Sequence, residues 1–233
     1  MIYVLSDIHG NERRFGSILK QIDLKPEDTL YVLGDVMDRH GGGIRILRRL
    51  MGMPNAKLIL GNHEYMMLRA LGEPVDDNYD DGTAMPHWYR NGGNVTHEQW
   101  KILPDMYQRT MIRYLRNLPL NREVRVGEKR YLLVHGAPEE LWKENEDPRY
   151  VSQAHFAVWK RLEKMPVMPE GTILIFGHTP TRYYQDNVPM EVYFTENCIG
   201  IDCGCGYPEG SEGRLACLRL DDGKIFYSEE RHA

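Results

Sequence analysis

Five short apolar runs along the chain each end close to a polar or charged side chain. The runs occupy residues 2–5, 30–33, 58–60, 131–134 and 173–176. Their length and their content of β-branched and aliphatic residues predict buried β-strands. Helical patterns at 11–22 and 41–51 fill the intervals between the first three runs, which predicts parallel strands joined by crossover helices. We therefore expect an α/β protein.

Side chains that can bind a metal ion follow these five runs. They are Asp7, His9, Asp35, Asn62, His135 and His178. In an α/β sheet, ligands bind in the crevice outside the carboxyl ends of the strands, so residues distant in sequence can converge there. Neighbouring glycines permit tight turns and a close approach of the backbone. We expect all six side chains to share one site.

Two further segments have a distinct character. Residues 72–86 are acidic and rich in turn-forming residues, which predicts a surface loop. A calcium-binding loop starting at Asp76 is excluded, because its sixth position is Asp81 instead of glycine and its twelfth is His87 instead of glutamate. Apolar residues at helical spacing over 105–118 predict an amphipathic helix whose methionine and tyrosine stripe faces the core.

Composition and charge exclude several classes of protein. The 233-residue chain has a formal charge of −5 and a pI near 6.0, without the strongly basic character of a nucleic-acid binder. Its mean hydropathy is −0.53, and no apolar run approaches the ~20 residues needed to cross a bilayer. Asp7 and His9 interrupt the stretch that a signal peptide would need to keep apolar. We expect a single cytoplasmic domain, residues 1–233, without nucleic-acid or membrane partners.

The cysteines point to the same compartment. All four lie beyond residue 197, with spacings that fit neither a paired zinc motif nor a disulfide scaffold. We expect reduced and mostly buried thiols.

The donor types of the expected site favour transition-metal chemistry. Three histidines, two aspartates and an asparagine give mixed nitrogen and oxygen ligands, which suit Mn, Fe, Zn or Co better than calcium or a structural zinc site. Six ligands exceed what one catalytic ion with open positions needs, but they suit two ions that share a carboxylate. Paired ions ~3.5–4 Å apart recur in enzymes that attack phosphorus esters, where they supply hydroxide and neutralise phosphoryl charge.

The motifs at these positions resemble those of the phosphoprotein phosphatases, within the calcineurin-like metallophosphoesterases. The motifs are DIHGN (7–11), GDVMDR (34–39), GNHE (61–64), VHGA (134–137) and GHTPT (177–181). HWYRNGG (87–93) and VWKR (158–161) are similar to the small bacterial and bacteriophage serine/threonine phosphatases. The tail over 200–220 also resembles the end of bacterial symmetrical diadenosine tetraphosphatases. The resemblance implies an αββα sandwich: two packed mixed β-sheets flanked by helices, with the metal site at the loop edge.

The resemblance also implies a metal-binding role for each expected ligand. Asp7 and His9 would bind the first ion, and Asp35 would bridge both ions. The second ion would be bound by Asn62, His135 and His178. Mn²⁺ is the expected metal, with Fe or Zn as alternatives.

The remaining implied roles concern substrate and proton transfer. His63 would donate a proton to the departing alkoxide, and Asp38 would orient its imidazole. Arg39 and Arg161, together with Asn62, would bind phosphoryl oxygens, for which the planar guanidinium is well shaped.

Three positions set the chain apart from either the protein phosphatases or the tetraphosphatases. Leu60 occupies a position where the protein phosphatases commonly have arginine, and leucine there is a feature of the tetraphosphatases. Glu64 stands where the tetraphosphatases usually have aspartate. His40 replaces a usual glycine, and we expect it to be an exposed loop residue.

These features predict a metal-dependent phosphoesterase that hydrolyses phosphomonoesters by one-step attack of a metal-bound hydroxide. The expected substrates are phosphoserine and phosphothreonine in proteins, with phosphotyrosine or small phosphoesters as further substrates. The alternative within this chemistry is a symmetrical dinucleoside tetraphosphate hydrolase. The alternative of another class is a non-catalytic metal-binding module, which should lack a ligand or the acid, and none is missing.

Overall fold

Two five-stranded mixed sheets lie at the centre of the fold. The computed structural model describes residues 1–75, 82–208 and 210–229. The strands are β1 (Ile2–Leu5), β2 (Thr29–Val32), β3 (Ala56–Leu58), β4 (Asn121–Val126), β5 (Lys129–Val134), β6 (Thr172–Phe176), β7 (Tyr193–Phe194), β8 (Cys198–Gly200), β9 (Ala216–Arg219) and β10 (Ile225–Tyr227). The first sheet has the order β10-β9-β1-β2-β3, and the second has the order β4-β5-β6-β8-β7.

Helices connect and flank the sheets. They are α1 (Glu12–Ile22), α2 (Gly43–Met51), α3 (Asn62–Ala70), α4 (Ala84–Arg90), α5 (Asn94–Lys101), α6 (Asp105–Arg116) and α7 (Gln153–Trp159), with short 3₁₀ turns at Glu139–Glu144 and Thr181–Tyr183. None of the helices in the described ranges has the length and apolar character needed to span a bilayer.

The burial pattern shows that the two sheets face each other. Successive side chains of a strand point to opposite faces, and along β5 Leu133 joins the apolar layer between the sheets, whereas Val134 joins a layer on the outer face. In β1 the same alternation places Val4 between the sheets and Leu5 on the outer face beneath α1 and α2. The expected αββα sandwich is therefore confirmed.

The predicted elements are present, with shifted ends. The second and third strands begin and end one or two residues earlier than predicted. The last two residues of the predicted 105–118 helix are not helical, because α6 ends at Arg116, three residues before Pro119. Tyr107 does not face the core as expected: it is 40% exposed, and the Arg48 guanidinium lies 4.6 Å from its ring centre.

The acidic segment 72–86 departs from the expectation of a loop at its carboxyl end. Helix α4 starts at Ala84, so residues 84–86 are helical. The rejected calcium loop falls on residues 76–81, which lie outside the described residues. All four cysteines are buried and free, as expected.

The parallel strands of both sheets end at a common edge. Strands β1, β2 and β3 are parallel to one another, as are β5, β6 and β8. The two sheets are joined there by a hydrogen bond of 3.0 Å from the His178 backbone N–H to Asp7 Oδ2. We call the region at the carboxyl ends of these six strands the carboxyl edge.

Leu133→Ala should destabilise the fold, because Leu133 is fully buried between the sheets. Removing its branched side chain loses apolar burial and leaves a cavity, so we expect a loss of about 2–5 kcal/mol in the free energy of unfolding. Urea denaturation of metal-free protein measures it. Ile102→Ala, at a position 83% exposed, is the control and should change stability by less than about 0.5 kcal/mol. Equal losses of stability in the two variants would contradict the placement of Leu133 in the apolar layer between the sheets.

Candidate metal centre

The side chains predicted as metal ligands meet at the carboxyl edge. All are at most 8% exposed: Asp7, His9, Asp35, Asn62, His135 and His178. Asp35 lies between the others, with Oδ2 3.7 Å from His9 Nε2 and Oδ1 3.3 Å from His135 Nε2. Asn62 Oδ1 is 2.8 Å from the same His135 nitrogen, and Asp7 Oδ1 is 3.7 Å from His9 Nε2. His178 has a ring nitrogen within 4.8 Å of donor atoms of Asp35 and His135.

Every imidazole of this group presents one nitrogen to a backbone carbonyl. The contacts are His135 Nδ1 to Leu33 O at 2.6 Å, His178 Nε2 to Trp159 O at 3.1 Å and His9 Nδ1 to Met37 O at 3.4 Å. A carbonyl oxygen only accepts hydrogen bonds, so these nitrogens donate. The other nitrogen of a neutral ring then carries a lone pair, and in His9 and His135 it is the nitrogen that faces Asp35.

The centre of the site therefore contains hydrogen-bond acceptors that face one another. His135 Nε2, Asn62 Oδ1 and Asp35 Oδ1 all present lone pairs at distances of 2.8 to 3.3 Å. Burying such acceptors together is unfavourable unless a cation or a proton lies between them. Nitrogen and oxygen donors without a thiolate suit Mn, Fe or Zn. The residues fit divalent metal ions, which would activate water and neutralise phosphoryl charge when bound.

Burial also sets the protonation states of the cluster. It lowers the pKa of each imidazole, those of His9, His135 and His178. The rings are therefore neutral at neutral pH, which is the form that binds a metal ion. Burial, followed by the charge of the Asp7 carboxylate, raises the pKa of Asp35 well above its usual value. A bound cation would offset this crowding of negative charge.

The backbone at the carboxyl edge adopts an uncommon conformation. Positive φ angles of 48° to 70° occur at the non-glycine residues Asp7, His9, Asp35, Asp38, Arg39 and His178. Elsewhere in the described residues only Asp23, which ends α1, shares this feature. Each such residue costs about 1–3 kcal/mol and persists where surrounding contacts fix it. The strain lies where side chains must turn toward one point.

Glu64 fixes the turn that presents Asp35. Its carboxylate accepts hydrogen bonds from three backbone N–H groups, those of Asp35 at 2.8 Å, Val36 at 2.9 Å and Gly61 at 3.1 Å. Gly61 has room for no side chain, because a Cβ there would lie 2.4 Å from Asp35 Oδ1. Glu64, at which the sequence differs from the tetraphosphatases, thus anchors the Asp35 turn.

His63 differs from the other histidines in its partner. Its Nδ1 lies 2.7 Å from Asp38 Oδ2, and both side chains are fully buried. Its Nε2 lies 3.8 Å from Asp35 Oδ2 and 3.4 Å from Arg39 Nη2. Distance alone would allow His63 to join His9 and Asp35 around an ion. However, a carboxylate partner on Nδ1 suits a ring that carries a proton and donates it.

The two predicted phosphate-binding arginines are both exposed. Arg39 lies over His63, and its backbone N–H donates to Gly92 O at 3.1 Å. Arg161 lies beyond α7, with its guanidinium 5.8 Å from the Tyr183 ring centre, and its positive charge helps to lower the pKa of His178. Both arginines are thus placed at the rim of the site, and their contact with substrate stays a prediction.

The expectation that His40 is an exposed loop residue is wrong. Its side chain is half-buried, with Nε2 3.2 Å from Tyr207 O, and its backbone N–H donates to His9 O at 3.1 Å. His40 therefore ties the turn after β2 to the segment after β8. Such a contact joins residues far apart in sequence, and the local pattern around position 40 does not reveal it.

Asp202 is a site residue that the sequence analysis missed. It follows β8 as Asp35 follows β2, and it is only 5% exposed. Burial and the nearby Asp7 charge raise the pKa of its carboxyl well above the usual value. The short run Cys-Ile-Gly-Ile before it was not recognised as a sixth strand, although the rule used for the other five strands would have identified Asp202.

Comparison with known proteins agrees with this geometry. The model of the calcineurin-like phosphoesterase family matches residues 1–196. The chain belongs to the calcineurin-like phosphoesterase family. Membership of this family agrees with the cluster of metal-binding side chains at the carboxyl edge.

Named relatives within the family are nucleotide hydrolases. Symmetrical bis(5'-nucleosyl)-tetraphosphatases from Acidovorax ebreus and Paracidovorax citrulli are 29% and 26% identical over 69% and 82% of this chain. The chain spans only 52% and 61% of those relatives. A solved structure provisionally assigned as a diadenosine tetraphosphatase has a TM-score of 0.64 at 16% identity, over 100% of this chain and 94% of that one, which shows the shared fold.

The comparisons bear on the predicted resemblance at two levels. Membership of the calcineurin-like metallophosphoesterases is confirmed. The finer assignment to the phosphoprotein phosphatases is not, because the curated relatives named above are tetraphosphatases.

Asp35→Asn should abolish metal binding, because it removes the negative charge that lies between the two groups of ligands. We expect metal analysis after reconstitution and dialysis to find only traces of bound Mn²⁺. The metal-free variant should be at least as stable as metal-free wild type, because an uncompensated buried carboxylate has been removed. Asp105→Asn, which alters an exposed carboxylate of α6, is the control and should bind metal normally. Normal metal content in Asp35→Asn would contradict the central position of this residue.

Proposed function

We propose that the protein hydrolyses dinucleoside tetraphosphates symmetrically, with two divalent ions, most favourably Mn²⁺, held by the six ligands. The observation that carries this proposal is the match to tetraphosphatases at up to 29% identity over 69% of the chain or more. Leu60 and the sequence of the 200–220 tail, which resemble those enzymes, also support it. The phosphoprotein phosphatase activity expected from the sequence becomes the second candidate.

The roles of the chain's own residues follow from their positions. Arg39 at the rim of the site binds phosphoryl oxygens, and Arg161 extends the same cationic rim. His63 donates a proton from Nε2 to the leaving oxygen. Asp38 accepts the hydrogen bond from His63 Nδ1 and compensates the positive charge of the ring. Asn62 is the remaining phosphate-binding residue, and it lies on the side of the site that holds His135.

One observation favours the second candidate. A phosphoserine or phosphothreonine releases an alkoxide, which is a strong base and needs a proton as the bond to phosphorus breaks. A nucleotide leaving group is a phosphate, whose last proton has a pKa near 6, so it departs readily without one. The buried His63–Asp38 pair supplies a proton that phosphoserine hydrolysis requires more than tetraphosphate hydrolysis does.

The substrate test is a comparison of kcat/KM by the Mn²⁺-reconstituted enzyme on diadenosine tetraphosphate and on phosphoserine and phosphotyrosine peptides. We expect diadenosine tetraphosphate to be favoured at least tenfold and to yield ADP as the sole nucleotide product. Asp35→Asn, purified in parallel, controls for contaminating phosphatases. A preference for the phosphopeptides, or AMP and ATP as products, would overturn the proposal, and the first result would establish the second candidate.

His63→Asn should separate proton donation from metal binding. The variant keeps its metal, while kcat on an ester with a basic leaving group falls by about 10²–10⁴, the usual contribution of a general acid. The loss should be much smaller on diadenosine tetraphosphate, whose leaving group needs little protonation. Metal analysis and steady-state kinetics provide the measurements. Full turnover of a phosphoserine peptide by His63→Asn would refute the role of this residue as proton donor.

A further inference from the structure

The Asp38 carboxylate has a second partner besides His63. The indole Nε1–H of Trp88 donates to Asp38 Oδ2 at 2.8 Å, and the same oxygen lies 2.7 Å from His63 Nδ1. All three side chains are fully buried. The other oxygen of Asp38 has no hydrogen-bond partner in the part of the chain that the structure describes. The orientation of this carboxylate is therefore fixed by two hydrogen bonds, from His63 and Trp88, that both end on the same oxygen.

The segment that carries Trp88 also holds the backbone beside Asp38. The Asp38 N–H donates to Thr96 Oγ1 at 3.0 Å, and the next N–H, of Arg39, donates to Gly92 O at 3.1 Å. Asp38 and Arg39 are both in the left-handed region, with φ of 70° and 62°. The α4–α5 segment thus stabilises two adjacent residues in a conformation that their own preferences oppose.

Trp88 itself is held in place by a close backbone contact. A Cβ at Gly93 would lie 2.3 Å from the indole ring, so the chain passes directly over it. This contact accounts for Gly93, the last glycine of the HWYRNGG motif, for which the metal centre gives no reason.

We propose that Trp88 is a positioning residue for proton donation, which fixes the Asp38 carboxylate so that His63 presents Nε2 to the leaving oxygen. The inference rests on the proposed phosphoester hydrolysis with His63 as the proton donor. Without the indole donor, the carboxylate of Asp38 can rotate about its Cβ–Cγ bond, and the imidazole loses a fixed partner. A hydrogen bond to a charged group is typically worth enough to change a rate by about 10- to 100-fold.

The test uses Trp88→Phe, which keeps an aromatic ring and removes the N–H. Two aryl phosphates distinguish a loss of proton donation from a general loss of activity. Phenyl phosphate releases phenolate, whose conjugate acid has a pKa of about 10, like that of tyrosine. p-Nitrophenyl phosphate releases a far weaker base. We expect kcat of Mn²⁺-reconstituted Trp88→Phe to fall about 10- to 100-fold on phenyl phosphate. Its kcat on p-nitrophenyl phosphate and its metal content should remain close to wild type.

Two further variants isolate the effect. Trp100→Phe removes an indole N–H from another buried tryptophan of the same apolar cluster, in α5, and should not change the ratio of the two rates. In a His63→Asn background, Trp88→Phe should cause no additional loss on phenyl phosphate, because the donor through which it acts is absent.

A spectroscopic measurement tests the contact without relying on turnover. In ¹⁵N-labelled metal-free protein, the Trp88 indole N–H resonance, assigned by its absence in Trp88→Phe, should shift in Asp38→Asn, whereas that of Trp100 should not. An unchanged Trp88 resonance would overturn the proposal.

The kinetic outcomes are equally decisive. Equal losses on both aryl esters, or a full additional loss in the double variant, would reduce Trp88 to a packing residue and overturn the positioning role alone. If wild-type protein hydrolysed neither ester, the positioning role would fail, whereas the proposed tetraphosphate hydrolysis would still be decided by the assay with diadenosine tetraphosphate.

Discussion

A carboxylate buried beside other acceptors needs a cation, and this requirement organises the carboxyl edge. Asp35 lies between His9 and His135, and both imidazoles use their remaining N–H on a backbone carbonyl. Neither ring can therefore donate a hydrogen bond to the carboxylate while it is neutral. Burial also disfavours the protonated rings, so a bound cation or a proton on Asp35 itself must neutralise the site.

The surrounding structure holds Asp35 in this unfavourable position. Glu64 binds the backbone N–H groups of the Asp35 turn, and the left-handed conformations of Asp7, His9 and Asp35 bring their side chains together. The apolar layer between the sheets and the layer on the outer face of the first sheet provide the rigid support that such strain requires. The fold thus builds a site in which a metal ion relieves repulsion that the protein itself imposes.

The sequence predicts the part of this arrangement that depends on strand ends. An apolar run followed by a donor residue identifies Asp7, Asp35 and Asn62, because the carboxyl ends of parallel strands share an edge. The parts that depend on contacts between distant segments are not predictable in this way. His40 meets Tyr207, and Trp88 meets Asp38 fifty residues away, through hydrogen bonds that no local periodicity encodes. Asp202 was missed for a different reason: Gly200 interrupts the short apolar run that precedes it.

The choice of substrate depends on the basicity of the leaving oxygen. The metal centre can serve a phosphoanhydride and a phosphomonoester alike, because its charge acts on the phosphoryl group common to both. The buried assembly of Trp88, Asp38 and His63 acts on the leaving group, where the two substrates differ. Under the proposed function, this assembly would extend hydrolysis to substrates with basic leaving groups, beyond the tetraphosphates for which the relatives are named.

Low-temperature electron paramagnetic resonance of the protein titrated with Mn²⁺ tests the central claim most directly. If Asp35 is shared by two ions, binding should saturate at two equivalents per chain, and the saturated sample should give the spectrum of a spin-coupled pair. Saturation at one equivalent, or two equivalents with only the six-line spectrum of isolated ions, would contradict a centre built around a shared aspartate.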